Sequence, residues 1–296
     1  FWLKHPWLKE ADLDETPVPS LVSARNATML DGFADLVQPD ASDDEDDERP
    51  DMEVAFSLSG GAGDAAGVPG PEACGTLLIC SSGAAAAFVL SAFVLQPAPW
   101  SLDVVKDPQA PVFPPPPRSP RFFVVGGTGG SGKPAAVSVF DSPVPAEMAD
   151  TYADTLLETF KGAEQVIFMD RVFRAGWQDT AALERPAEPH LCGLWTAACG
   201  LEGPLPRGAM AVLPPPNLVE GVGAALLAHC EAARRRCLVA LALQDGAHLG
   251  EGSVRAFERL EPLLKSLGVV PESWERPNYR NAVKQVVPQA SMMIYA

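Results

Sequence analysis

The chain has 296 residues, 47% of them hydrophobic, which is enough apolar material for one large domain or two small ones. Its 22 basic and 38 acidic side chains give a net charge of −16, arguing against a nucleic-acid or anionic-membrane partner. Residues 43–53 hold eight acids against Arg49, so that stretch alone supplies 8 − 1 = 7 of the excess negative charges.

An acidic block of that density reads as a solvated segment, or as a docking strip for a basic partner. The expected organisation begins with it: an acidic, disordered N-terminal region over 1–50, carrying an early aromatic patch (Phe1, Trp2, Trp7) without a clear period. The first residue is Phe1, and no signal-peptide pattern is visible. From Asp51 the pattern changes, and Met52–Leu58 alternates as a strand does. The Gly/Ala/Pro-rich stretch 59–73 reads as a loop. Thr76–Leu95 is uncharged and long enough to cross a bilayer, but Ser81-Ser82-Gly83 interrupts it and no Lys or Arg flanks it. It reads better as a buried strand, Thr76–Cys80, then a helix capped near Ser82 and running to about Leu95.

Nine prolines between 96 and 120, Pro114–Pro117 among them, predict an extended, polyproline-like surface connection rather than a helix or central strand. Such a segment serves as a spacer or as a ligand for an SH3-type domain. Two apolar runs follow, Phe122–Gly126 and Ala135–Phe140, with a glycine-rich turn between them. That turn, Gly127 to Pro134, nearly matches a phosphate-binding loop. Its hydroxyl position is Pro134, which offers neither a hydroxyl nor an N–H, and the β-branched, aromatic run after it predicts a strand where a helix is needed. A hairpin with a glycine loop is the expectation.

Ala149–Phe160 has helical periodicity, Val166–Met169 reads as a short buried strand, and 174–210 as irregular. Met210–Leu213 is a further strand, ended by three prolines. Asn217 is a candidate N-cap for a helix reaching Arg236, with Arg234–Arg236 complementing its C-terminal dipole. Cys237–Leu243 is an apolar strand, Ser253 caps a helix to Leu267 that Gly268 terminates, and a last helix spans about Asn278–Val287. Strands alternating with helices predict an α/β fold with helices on both faces of a sheet. The domain is expected over 51–288, with a flexible docking tail over 289–296.

Six cysteines show no C-x-x-C pair, and several sit in apolar runs as small hydrophobes. The four histidines make no metal-ligand spacing, and His229-Cys230 reads as flank and core. A reduced cytoplasmic or nuclear compartment fits, and no cofactor, metal or catalytic residue is expected. The residues that stand out instead are Ile294, Tyr295 and Ala296, a hydrophobic residue, a tyrosine and a terminal carboxylate beyond Pro288. A partner's pocket can capture such a tail, the carboxylate against a basic group or N–H donors and the side chains in the cleft.

The run Pro216-Asn217-Leu218-Val219, continued by an Ala/Leu helix with a cysteine and an apolar strand, resembles the matching block of the proteasome assembly chaperone 1 family. Ser253–Phe257 and the Ile-Tyr-X ending are similar to the same family, and so are Glu53–Leu58 and Leu77–Leu95 upstream. The resemblance implies a three-layer α/β/α sandwich like that of purine nucleoside phosphorylases without their catalytic residues. It implies a non-enzymatic chaperone, paired with a second, related chaperone, on the outer face of the proteasome α-ring. There it would promote assembly and block ring dimers and premature activator binding. Ile294, Tyr295 and Ala296 would enter a pocket between α-subunits, the carboxylate facing a lysine. Neither a small-molecule substrate, a nucleic acid nor a membrane is implied. Two other readings stay open: a P-loop-like or phosphorylase-like enzyme, and a different proteasome-binding activator sharing only the tail. Pro134 argues against an ATPase, and the ordered block at 216–296 favours the chaperone.

Overall fold

A computed structural model describes residues 53–58, 68–105, 119–126, 132–178, 189–200, 203–206, 208–244 and 249–284. The acidic block, Pro114–Pro117, most of the glycine loop and the C-terminal tail lie outside the described residues. The described segments belong to one unit, within Arg49–Ala296.

Four parallel strands form the centre of an eight-stranded sheet: β2 (Thr76–Cys80), β6 (Ala135–Val139), β7 (Gln165–Phe173) and β10 (Arg236–Gln244). They run in the order β6-β2-β7-β10, in parallel register throughout. Their near-continuous apolar sequences follow from burial on both faces. Leu77 and Ile79 join one core cluster while Leu78 and Cys80 join the other, as the two-residue period of a strand requires. β5 (Arg121–Val125) and β3 (Gln96–Pro97) extend the β6 side, whereas β8 (Leu191–Trp195) and the two-residue β9 (Ala211–Val212) extend the β10 side. These flanks are mixed: β5 pairs antiparallel with β6, β3 with β5 and β8 with β10, whereas β9 pairs parallel with β8.

One face carries α1 (Ala84–Ala92), α4 (Glu251–Ala256), α5 (Glu261–Ser266) and the helical turn at 279–284, around Phe88, Phe257 and Tyr279. The other carries α2 (Ala149–Thr159), α3 (Gly221–Ala232) and a second, two-stranded sheet of β1 (Glu53–Leu58) and β4 (Trp100–Val105). The molecule is therefore an α/β/α sandwich, as the alternation predicts. Among the described residues no helix is long and apolar enough to cross a membrane.

Several boundaries differ from expectation. Prolines 97 and 99 do not keep the segment after α1 out of the sheets. Pro97 sits on the edge strand β3, where a missing N–H is tolerated, and β4 pairs with β1 and buries Trp100 against Phe122 and Phe160. The stretch 174–210 contains β8, whose Leu191 and Cys192 are fully buried. Gly193 in that strand allows close approach, since a Cβ there would lie 2.0 Å from the Val239 carbonyl oxygen.

Asn217 does not cap a helix. Its amide Nδ2 donates to the Gln178 and Pro214 carbonyls (2.7 and 2.8 Å), its Oδ1 accepts from the Gln178 N–H, and α3 starts four residues later. Ser82 makes no cap either; Gly83 occupies that position at φ 93. Ser253 lies inside α4 and donates weakly to the Leu243 carbonyl, and Gly250 precedes the helix. The single helix expected to Leu267 is broken by a 3-10 turn at Phe257–Leu260, just before Pro262, and Gly268 closes it at φ 68. Arg236 belongs to β10, while the Arg235 guanidinium serves the end of α2 by donating to the Leu157, Phe160 and Ala163 carbonyls at 3.1, 3.0 and 2.7 Å.

Candidate functional site

β5 and β6 pair as an antiparallel hairpin, and residues 132–134 between them lie at the amino end of β6. Lys133 donates to Glu164 at 2.6 Å, and this bond draws the Glu164 carboxyl below its ordinary range. No helix follows the lysine, so the phosphate-loop geometry is not built.

Among the described residues, a hollow lies at the opposite end. Strands β2 and β6 stop together at Cys80 and Val139, level with Met169 of β7, while β7 runs on to Phe173; two adjoining clefts of about 430 and 410 Å³ open there. Ligand crevices of open α/β sheets occur at this position, where strand ends and helix starts leave a gap. The two clefts share Asp170, Arg171, Phe173 and Glu220. Phe140, Val144, Phe168 and Val222 give the first an apolar wall.

Asp170 is the first charged residue after the apolar run of β7. Its Oδ1 accepts from the Ser81 hydroxyl, at the end of β2, and from the Arg171 N–H at 2.7 Å. Burial pushes the Asp170 carboxyl above its ordinary value; the bonds from Ser81 and Arg171 and the Arg171 charge oppose the shift without cancelling it. The Arg171 guanidinium lies over the Phe173 ring, 4.9 Å from its centroid. It also reaches the turn after β2, where a Cβ on Gly83 would be 2.8 Å from Nη1. The small-residue turn Ser81-Ser82-Gly83 therefore leaves room at the crevice rim for the arginine of the adjacent strand β7.

Ser81 and Asp170 touch directly, without a histidine between them: His229 on α3 pairs with Asp150 on α2 at 2.8 Å, and His190 meets the Trp177 ring. No cluster of metal-ligating side chains is present among the described residues. All six cysteines are free and buried, and burial alone pushes the Cys192 thiol up to about 12. Of the residues singled out by sequence, Ile294, Tyr295 and Ala296 lie outside the described residues. The crevice was missed, although a small-residue turn after one buried strand and an Asp-Arg pair ending another are its sequence signal.

No protein-family model and no curated protein matches the sequence. Solved structures do match the fold. PbaB of Pyrococcus furiosus, an archaeal proteasome activator, superposes with a TM-score of 0.52 at 11% identity, covering 82% of this chain and 98% of that one. A protein of unknown function from Thermoplasma acidophilum gives 0.51 at 12% identity, over 75% and 86% of the two chains. PbaA of P. furiosus, an archaeal homolog of proteasome-assembly chaperone, gives 0.50 at 17% identity, over 82% and 90%. At these identities the likeness is one of fold.

Proposed function

We propose that this chain is a proteasome assembly chaperone of the chaperone 1 kind, acting without enzymatic chemistry in the cytoplasm or nucleus. It pairs with a second, related chaperone, sits on the outer face of the proteasome α-ring, promotes ring assembly and keeps ring dimers and activators away. The observation that carries this reading is the shared fold. Nearly the whole length of PbaB and PbaA, an archaeal proteasome activator and a chaperone homolog, matches a chain whose residues 216–296 carry the family-like ordered block.

The docking element is the C-terminal tripeptide. Ile294 supplies apolar contact, Tyr295 wedges at the rim of a pocket between α-subunits, and Ala296, as the terminal residue, brings its carboxylate to a pocket lysine. A segment from Pro288 to Ala296 spans roughly 25–30 Å when extended, enough to reach beyond a domain surface. Affinity purification of the native protein through an N-terminal tag, with partners identified by mass spectrometry, tests the reading. It should recover α-subunits together with a second chaperone. Recovery of neither would contradict it.

A further inference from the structure

The crevice has features that docking on a ring does not use. Oδ1 of Asp170 is held by Ser81 and the Arg171 N–H, while Oδ2 has no hydrogen-bond partner among the described residues. The Arg171 guanidinium makes no hydrogen bond or ion pair with a described residue, being placed by the Phe173 ring and the space above Gly83. Both line the same cleft, as does the exposed Glu220 at its rim. A positive group and two negative groups thus open onto one cleft whose wall is apolar.

We propose that this crevice binds a free amino acid with an apolar side chain, its carboxylate facing Arg171, its ammonium facing Asp170 and Glu220, and its side chain against Phe140 and Phe168. A guanidinium is matched to a carboxylate by geometry as well as charge, and an ammonium supplies the donors that Asp170 Oδ2 accepts. The volume of about 430 Å³ lies in the usual range for small-ligand pockets. An ammonium beside Asp170 also favours the ionised carboxylate that burial disfavours, so binding releases protons where the free site holds them.

The test is backbone-amide NMR of the full chain, titrated with L-leucine and L-phenylalanine, and with two truncated analogues of leucine. These are 4-methylpentanoate, which lacks the ammonium, and 3-methylbutylamine, which lacks the carboxylate. At least one amino acid should shift the Ser81–Gly83 and Asp170–Arg171 signals saturably, with both analogues weaker by about tenfold or more. Arg171→Gln should abolish the advantage of leucine over the amine, and Asp170→Asn should reduce its advantage over the acid to what Glu220 alone supplies. The two variants are read separately, each with its own spectrum as a check of folding. Absence of saturable shifts with both amino acids, or analogues binding as tightly as leucine, overturns the proposal. No proteasome takes part, so the outcome is independent of the chaperone reading.

Discussion

Asp170 shows what a single residue reveals about the molecule. Its carboxyl holds a proton more readily in the folded chain than in the unfolded one, because burial outweighs the hydrogen bonds it accepts. Its contribution is therefore most favourable below the ordinary aspartate value of 3.8 and falls as pH rises from there through the higher folded value. Above that the full cost of an ionised, enclosed carboxylate is present. Asp170→Asn keeps an acceptor for Ser81 and the Arg171 N–H and removes the charge. Urea unfolding should show the variant more stable than the parent at neutral pH, with the gap closing as pH falls towards 3.8. A gap independent of pH would mean that the carboxyl is solvated after all. The sequence displays Asp170 only as the end of an apolar run; its link to Ser81, 89 positions away, is created by the pairing of β2 with β7.

Elements are joined here by side chains whose targets the sequence misdirects. Arg234–Arg236 follow α3 and suit its C-terminal dipole, yet Arg235 reaches across to three carbonyls at and beyond the end of α2. The reason is positional: Arg234 adopts φ 53, turning the chain so that Arg235 precedes β10 beside the loop from α2 to β7. Arg235→Met should cost about 2–3 kcal/mol, because a charged donor is lost and half-buried carbonyls are left with fewer partners. Lysine should restore only part, as it cannot present a planar fork of donors. Urea midpoints measure both, and a loss for Arg235→Met under about 0.5 kcal/mol would show that water replaces the guanidinium. Strong periodicity did place elements correctly. The five residues Thr76–Cys80 and the helix from Ala149 fall where apolar pattern puts them. Strand β8 was hidden because its short run, Leu191 to Trp195, includes Gly193, whose value is close contact with Val239 rather than strand propensity. β4 was hidden by the prolines around it, although its own Trp100 and Leu102 fill the core beside α2.

At the scale of the whole molecule, the α/β/α sandwich was legible from strand–helix alternation, while the crevice at the strand ends was not, since it exists only once β2, β6 and β7 align. The fold is compatible with many activities, so the proposed function must be tested at the partner. The central claim is that it docks on α-rings through its last three residues. The most direct measurement compares α-subunit co-purification by the N-terminally tagged protein with that by the same protein lacking Ile294–Ala296, both checked for unchanged urea midpoints. Loss of an aromatic anchor and a carboxylate together should weaken capture by about tenfold or more, with Tyr295→Ala lying between. Equal recovery of α-subunits by the two proteins would contradict the account.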